Sequence, residues 1–229
     1  MSLKIKGWRK ILRWAGWSLL TIVFLTFLIR IVVFENNYYG QKEGSERVVP
    51  EIAEVEEEEL VEEEPTTEEV KEYTVAPDRP RYLTIEKLGI NKARILSMGI
   101  NAKGELDTPR NIFDVGWYEG SGRPGQGGTL IIDGHNGGPH VLGVFKNTPT
   151  LVNGDKIIVE RGDGVIYKYS VVENVSVPLS EADAYMRVAA RSPETGKESV
   201  TLISCTGEWS QSQGTYLSRQ FTRAVIVED

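Results

Sequence analysis

The sequence predicts an all-β domain, closed or sandwiched, of about 150 residues that spans 80–229. Short runs rich in β-branched residues follow one another there: RYLTIEKLGI, ARILSMGI, GTLIIDG, DKIIVERG, VIYKYSVVENVSV, ESVTLISC and RAVIVED. The turn residues that separate several of them are Asn153-Gly154, Asp163-Gly164 and Thr195-Gly196. Helical periodicity is weak, and the sequence predicts only short helices, at Val144–Thr148 and Glu181–Arg187. Seven or eight strands are therefore expected.

Charge is distributed very unevenly along the chain. Residues 1–34 hold six Lys or Arg and no acid, whereas residues 35–72 hold fifteen Glu and three basic residues. The predicted β-domain is nearly neutral, since residues 73–229 hold 18 acidic and 17 basic residues. A domain without a basic face does not attract nucleic acid, so we expect no nucleic-acid partner.

Residues 11–34, ILRWAGWSLLTIVFLTFLIRIVVF, are long and apolar enough to predict one transmembrane helix before the β-domain. The basic tail at 1–10 precedes this anchor, and an excess of Lys and Arg marks the cytoplasmic side of a span. We therefore expect a single-pass protein of the cell membrane, with a cytoplasmic N-terminus and an extracellular domain. A cleaved signal peptide is the alternative, but VVFENNYYGQK offers no small-residue cleavage site.

The segment at 35–79 predicts an acidic, disordered spacer between the anchor and the β-domain. Its stretch from Glu51 to Glu72 holds twelve Glu and one Lys. Such self-repelling charge cannot bury enough apolar surface to fold, so an extended tether is expected. A docking site for a partner is the alternative function for this segment.

The single cysteine, Cys205, ends the apolar run SVTLISC. A lone thiol excludes an intrachain disulfide and a Cys-based zinc site, and is most often a small buried hydrophobe. Both histidines lie in GGTLIIDGHNGGPH, where His135 directly follows the apolar strand Thr129–Ile132. If the two strands are neighbours, the thiol and the imidazole face each other, and imidazolium favours the nucleophilic thiolate.

A thiolate that attacks a carbonyl also needs a group that stabilises the developing oxyanion. A guanidinium suits this task because it does not lose its charge. The segment RQFTRAVIVE after Cys205 supplies two candidates, Arg219 and Arg223.

These motifs together resemble the sortases, a family of membrane-anchored cysteine transpeptidases. TLISC resembles the family's TLxTC, with Ser204 in place of the family's Thr, and Gly134-His135 matches its GH after an apolar strand. RQFTRAV places Arg219 where the family has its arginine, at the start of the strand that follows the cysteine-bearing loop. VGWYEGSGRPGQGGTLIIDGH and FKNTPTLVNGDKIIV are also similar to family segments, and the resemblance spans Tyr82 to Glu228.

The resemblance implies an eight-stranded sortase-type β-barrel in which Cys205 attacks a sorting signal of the LPxTG kind. The Thr–Gly bond of that signal breaks to give a thioacyl-enzyme, which an amine of a peptidoglycan precursor or a pilin subunit then resolves. It further implies that His135 exchanges protons with the departing and incoming amines. It assigns the substrate backbone and the oxyanion to Arg219, and leaves a surface ion pair as the expected role of Arg223.

We expect the strand Thr201–Ser204 to aim Cys205 and the polar loop Glu208–Gly214 to cover one side of a substrate groove. Thr201, Ser204 and Trp209 are the predicted substrate contacts.

Some positions depart from the family pattern. Asp133 is an acid where the family more often has a small or apolar residue, and we expect it to cap a loop. His140 is expected to lie at the surface. Asp78 is followed by Arg79, so the Asp-Pro-aromatic lid motif of pilin-polymerising members is absent, and a housekeeping or actinobacterial type fits better. No cofactor or metal site is predicted, and modulation by calcium stays open.

Two alternative functions remain at this point. A cell-wall L,D-transpeptidase is also an all-β cysteine enzyme, but its HGC-type motif is missing from LISCTG. A catalytically silent β-domain for adhesion or signalling would use Cys205 as a core residue, His135 as a structural one and the acidic segment as the interaction element.

Overall fold

The computed structural model describes residues 59–101 and 104–227. Eight strands form a closed barrel in the order β1-β2-β3-β4-β7-β8-β6-β5, so the predicted all-β barrel is confirmed. The strands are Pro80–Ile85 (β1), Ile90–Met98 (β2), Val115–Tyr118 (β3), Thr129–Gly134 (β4), Lys156–Arg161 (β5), Ile166–Pro178 (β6), Ser199–Ser210 (β7) and Thr215–Ile226 (β8).

Two short α-helices accompany the barrel, α1 at Thr67–Glu72 and α2 at Leu179–Ala189. The helix predicted at Glu181–Arg187 is confirmed, since it lies within α2. The helix predicted at Val144–Thr148 is wrong, because those residues form turns that lead into a single 3-10 turn at Thr148–Thr150. Pro149 explains this difference, since it has no backbone N–H to donate to the Phe145 carbonyl and so cannot continue an α-helix through Thr148.

Successive side chains of the strands point alternately into and out of the barrel, and apolar side chains form one cluster on each side. Leu130 and Ile132 of β4 and Val200 and Leu202 of β7 belong to the core inside the barrel. The residues between them point to the outer face, because side chains of a strand alternate. On that face a second cluster forms around Phe221 of β8, beneath α2.

The pairing of β4 with β7 determines which side chains of the two strands lie close together. These two strands are parallel neighbours, with Ile132 opposite Leu202 and Asp133 opposite Ile203. The pairing with β4 covers only Ser199 to Ile203 of β7, so Cys205 within β7 and His135 after β4 both lie just past the same end of the paired region. β8 then pairs antiparallel with β7.

The glycine-rich segment before β4 is fastened by one buried carboxylate. Glu198, which is 7% exposed, accepts hydrogen bonds from the backbone N–H of Gly125 at 3.0 Å and of Gly127 at 2.8 Å. The Tyr169 hydroxyl donates a third bond to it at 2.6 Å. Hydrogen bonds to a buried charge are worth more than neutral ones, so Glu198 fixes the entry into β4.

The described residues within the predicted spacer, 59–79, are ordered, which differs from the prediction of disorder. Val61 pairs with Asn111 in an isolated parallel bridge. α1 begins with a capping box in which the Thr66 and Glu69 side chains each bond the other's backbone N–H. The Tyr73 hydroxyl donates to the Ile95 carbonyl of β2 at 2.6 Å. These apolar and capping residues give the segment contacts that a uniform Glu run lacks.

The predicted basic tail at 1–10, the predicted anchor at 11–34 and the first part of the predicted spacer lie outside the described residues. Within 59–101 and 104–227, no helix is long and apolar enough to span a bilayer.

Candidate active site

The two strands that carry Cys205 and His135 are neighbours, as the sequence-based hypothesis required. The register of β4 on β7 ends at Asp133 opposite Ile203, so His135 and Cys205 each lie two residues beyond the last pair of the ladder. Cys205 lies on β7, and His135 is the first residue after β4. The thiol and the imidazole therefore belong to the same edge of the barrel.

Cys205 is half-buried and free. Burial raises the pKa of its thiol, the Arg219 guanidinium opposes this by its positive charge, and the Asp133 carboxyl adds to it by its negative charge. Burial has the largest effect on the pKa, so the sulfur is protonated at neutral pH.

His135 is half-buried, and its Nε2 lies 2.7 Å from the carbonyl oxygen of Pro109. A carbonyl can only accept, so Nε2 carries the hydrogen and Nδ1 is the accepting nitrogen of the neutral ring. Burial lowers the pKa of His135, and the Pro109 carbonyl partly offsets that effect. The resting imidazole is therefore neutral at neutral pH.

Arg219 lies directly opposite Cys205 in the β7–β8 pair, so the two side chains share one face. Its Nη1 donates to the carbonyl of Tyr216 at 2.9 Å, and its Nη2 donates to Thr215 Oγ1 at 3.2 Å. These bonds hold the guanidinium at the end of the hairpin near the thiol. The sequence predicted Arg219 as the first residue of its strand. This is wrong, because β8 already begins at Thr215.

The hairpin that follows Cys205 is longer than predicted. β7 continues to Ser210, so the predicted loop Glu208–Gly214 is reduced to the turn at 211–214. Trp209 pairs with Tyr216 across the two strands, and their rings meet edge to face with centroids 5.2 Å apart. Trp209 is 53% exposed and thus accessible beside the candidate site.

Thr201 and Ser204, two of the predicted substrate contacts, are buried at 0% and 4% exposure. Thr201 Oγ1 donates to the Ala189 carbonyl at the end of α2 at 2.8 Å. Ser204 Oγ shares a hydrogen bond of 3.1 Å with Thr148 Oγ1. The structure thus differs from the prediction, since both hydroxyls are partnered within the protein.

Arg223 forms the expected ion pair, with Glu173, but this pair is not at the surface because Arg223 is only 6% exposed. Its Nη2 also donates to the Arg191 carbonyl at 2.8 Å. His140 is exposed, as expected. Asp78, at the position where the lid motif is absent, pairs with Arg123.

Asp133 is a member of β4, on the same outer face as the candidate site, and does not cap a loop. Burial raises its pKa to about 7, while the Thr108 hydroxyl donates a hydrogen bond to it and opposes that rise. Thr108 and Pro109 were not singled out by the sequence, because nothing in a loop between distant strands indicates which side chains it contacts. An acid at the end of the apolar run TLIIDG was the one available signal.

In the part of the chain that the structure describes, no group of three or more His, Cys, Asp or Glu side chains is placed to hold a metal ion. The candidate residues of the site are a thiol, an imidazole, a guanidinium and the half-buried carboxyl of Asp133.

A closed β-barrel that carries a half-buried thiol opposite an arginine, on the strand next to the one that ends just before a histidine, defines a candidate cysteine-dependent enzyme. The family model of the Sortase domain matches residues 83–227, and the chain belongs to the sortase family. Membership of this family implies transpeptidase activity on surface proteins. No curated protein matches the sequence.

Solved structures with a similar fold include several sortases. The sortase C1 of GBS Pilus Island 1 is 17% identical, with a TM-score of 0.49 over 69% of this chain and 68% of its own. A Clostridium perfringens sortase D5 transpeptidase is 22% identical, with a TM-score of 0.46 over 72% of this chain and 90% of its own. Sortase A from Corynebacterium diphtheriae is 22% identical, with a TM-score of 0.47 over 68% of this chain and 63% of its own.

Proposed function

We propose that this protein is an extracellular, membrane-anchored cysteine transpeptidase that cleaves an LPxTG-like sorting signal and transfers it to an amine. The observation that carries the proposal is the position of Cys205, which is opposite Arg219 on β8 and level with the residue that follows β4, His135. A thiol packed only as a core residue needs neither of these charged or titratable neighbours.

The resting protonation states suggest how the proton moves. Cys205 holds its proton because burial raises the thiol pKa, and His135 is neutral because burial lowers the imidazole pKa. His135 takes the thiol proton as the sulfur attacks the threonine carbonyl of the signal. The carbon–nitrogen bond to glycine then breaks, a thioester forms, and His135 passes its proton to the departing amine.

The second half of the reaction reverses these roles. An amine of a peptidoglycan precursor or a pilin subunit attacks the thioester, and His135 accepts a proton from it. The new amide forms, and the thiolate that leaves is reprotonated. Arg219 stabilises the oxyanion in both halves, because its charge is permanent and its Nη1 and Nη2 are anchored to Tyr216 and Thr215.

The sorting signal is proposed to lie against the β7–β8 hairpin. Trp209 is 53% exposed there and is braced by Tyr216, so it offers a rigid apolar surface to an extended peptide. Thr201 and Ser204 are left out of this proposal because both are buried with partners of their own. They orient the strand beneath the nucleophile.

The test is cleavage and amine transfer of a fluorogenic LPxTG peptide by the full-length chain in detergent. Cys205→Ala is expected to abolish turnover, and His135→Ala to lower kcat/KM at least about a hundredfold. His140→Ala is the matched control, an exposed histidine in the same loop region, and should leave turnover unchanged. Intact mass spectrometry is expected to show a peptide adduct on the parent chain and none on Cys205→Ala.

Residual cleavage by Cys205→Ala would refute the proposed nucleophile. Equal losses from His135→Ala and His140→Ala would refute the role of His135. A folded parent chain that neither binds nor cleaves the peptide would favour a catalytically silent domain.

A further inference from the structure

We propose that Asp133 is a positioning residue of this enzyme. Its carboxyl holds Thr108, and through the adjoining Pro109 carbonyl it fixes the orientation of the His135 imidazole. This inference rests on the proposed function of His135.

The outer face of the sheet contains a space made for the Asp133 carboxyl. Gly116 of β3 lies directly opposite Asp133, and a Cβ at that position would collide with the carboxylate oxygen Oδ1. The same Cβ would lie 3.0 Å from Pro109 Cδ. The absence of a side chain at Gly116 therefore lets the carboxyl and the loop at 107–109 approach β3 together.

The loop connects the carboxyl to the imidazole through two consecutive residues. Asp133 Oδ1 and Pro109 Cδ both lie against Gly116, and the Thr108 hydroxyl comes close enough to the Asp133 carboxyl to lower its pKa as a hydrogen-bond donor. The carbonyl of the next residue, Pro109, accepts from His135 Nε2 at 2.7 Å. Because Thr108 and Pro109 share a peptide bond, fixing the first restricts the carbonyl of the second, and that carbonyl selects the tautomer with hydrogen on Nε2.

Two titratable side chains, those of Asp107 and Cys205, interact electrostatically with Asp133. Asp107 lies on the loop and raises the pKa of the Asp133 carboxyl. Cys205 on β7 has a pKa that the Asp133 charge raises and the Arg219 charge lowers. On β3 the residue opposite is Gly116, which contributes no charge.

The expected protonation state makes a clean substitution possible. Burial raises the pKa of Asp133 to about 7, so the carboxyl is mostly protonated at the lower pH where His135 titrates. Asn is then close to Asp in charge and shape over that range. Its amide oxygen can still accept from Thr108, whereas Ala cannot.

The experiment is an NMR pH titration of the His135 ring in the full-length chain in detergent micelles. The sequence holds only two histidines, and His140→Gln assigns their signals. The Pro109 carbonyl raises the pKa of His135, so loosening that bond lowers it. Asp133→Ala and Thr108→Val should each move the titration midpoint down by about half a pH unit to one unit.

Three further variants make the result specific. Asp133→Asn should titrate like the parent, because the bond from Thr108 is kept. The double variant Asp133→Ala/Thr108→Val should show no larger shift than either single change, because both break one bond. Asp107→Asn is the control that removes the nearby charge and leaves the Thr108 bond intact, and its midpoint should not move.

Turnover gives the second readout. Asp133→Ala and Thr108→Val should lower kcat about tenfold or more with little change in KM, since only the orientation of the imidazole is affected. An unmoved His135 midpoint in Thr108→Val would overturn the proposal, even if Asp133→Ala fails to fold. Equal shifts in Asp133→Asn and Asp133→Ala would also overturn it. The titration does not depend on activity, so failure of the proposed function is recognised separately, by cleavage in Cys205→Ala.

Discussion

Burial favours the neutral forms of both Cys205 and His135, since it raises the pKa of the thiol and lowers the pKa of the imidazole. Arg219 opposes this effect at the thiol, and the Pro109 carbonyl opposes it at the imidazole. A thiol–imidazole pair of this kind holds little thiolate before substrate binds. An incoming peptide excludes water and brings a carbonyl whose developing charge Arg219 can stabilise. The reactive charges are thus expected to form during attack, where they contribute to catalysis.

The effect of Arg219 on the pKa of the Cys205 thiol can be measured directly. A guanidinium close to the thiol stabilises the thiolate and so lowers the pKa of Cys205. Arg219→Gln removes that charge, and the pKa of Cys205 should rise by about one unit. The measurement is the rate of alkylation by iodoacetamide against pH, whose midpoint should move upward.

Arg219→Lys keeps a positive charge in this region and should shift the alkylation midpoint less than Arg219→Gln. His140→Gln serves as the control, with no shift expected. A midpoint that stays fixed or falls in Arg219→Gln would show that the guanidinium does not stabilise the thiolate.

The sequence alone could single out candidate residues where their chemistry is rare in the chain. One cysteine and two histidines left few combinations, and His135 and Cys205 each stood at the end of an apolar run. Thr201 and Ser204 were misjudged because their neighbours come from remote segments. Ala189 at the end of α2 and Thr148 in a 3-10 turn occupy their hydroxyls, and strand periodicity cannot reveal such partners.

At the scale of elements, the strand that the β-branched runs missed is β3. It has four residues, Val115–Tyr118, and its second residue is Gly116, which weakens the strand pattern. Gly116 is also the position that makes room for the Asp133 carboxyl. The residue that obscured the strand in the sequence is therefore one that the site requires.

The β7–β8 hairpin was underestimated for a different reason. Its arms beyond Cys205 are polar and project into solvent, so they carry no apolar alternation. Ladder pairing and the Trp209–Tyr216 contact hold them instead. Strand periodicity also could not show that the sheet closes into a barrel, since it is compatible with a closed or a sandwiched domain. The closed barrel was predicted from the family resemblance.

Helix α2 is attached to the barrel by Arg223, and this attachment can be tested by stability. Arg223 pairs with Glu173 and donates to the carbonyls of Val188 and Arg191. Arg223→Met removes the ion pair and these hydrogen bonds, whose acceptors water can still reach, so the free energy of unfolding should fall by about 1.5 kcal/mol. Urea denaturation followed by circular dichroism measures the change.

The matched control is Arg187→Met, an exposed arginine of the same helix, which should change the free energy of unfolding by less than about 0.5 kcal/mol. A loss in Arg223→Met no larger than this control would mean that the buried pair contributes nothing to holding α2.

At the scale of the whole molecule, the domain begins before the barrel does. Residues 59–79 pack on it through the Val61–Asn111 bridge and the bond from Tyr73 to Ile95. Glu62 Oε1 also accepts from the backbone N–H of His140 at 2.8 Å and of Val141 at 3.2 Å. The described part of the acidic segment thus contacts the loop that follows His135.

The orientation of the chain follows from its charge distribution. Residues 1–34 carry six basic residues and no acid around an apolar stretch, and the acidic residues begin with Glu35. From the positive-inside bias we expect the basic tail to stay in the cytoplasm and the barrel to be exported. In protoplasts that express the full-length chain, added protease should digest the barrel while an epitope at the N-terminus stays protected.

If residues 11–34 form the predicted anchor, the chain should also remain with membranes after carbonate extraction, because an apolar segment of that length is long enough to cross the bilayer core as a helix. Replacing Lys4, Lys6, Arg9 and Lys10 with Asn is the matched change, since it removes tail charge and leaves the apolar stretch intact. Part of the population should then invert and become protease-resistant. A soluble exported fragment that begins after residue 34 would instead identify the segment as a cleaved signal peptide, and a barrel protected in the parent chain would contradict the proposed orientation.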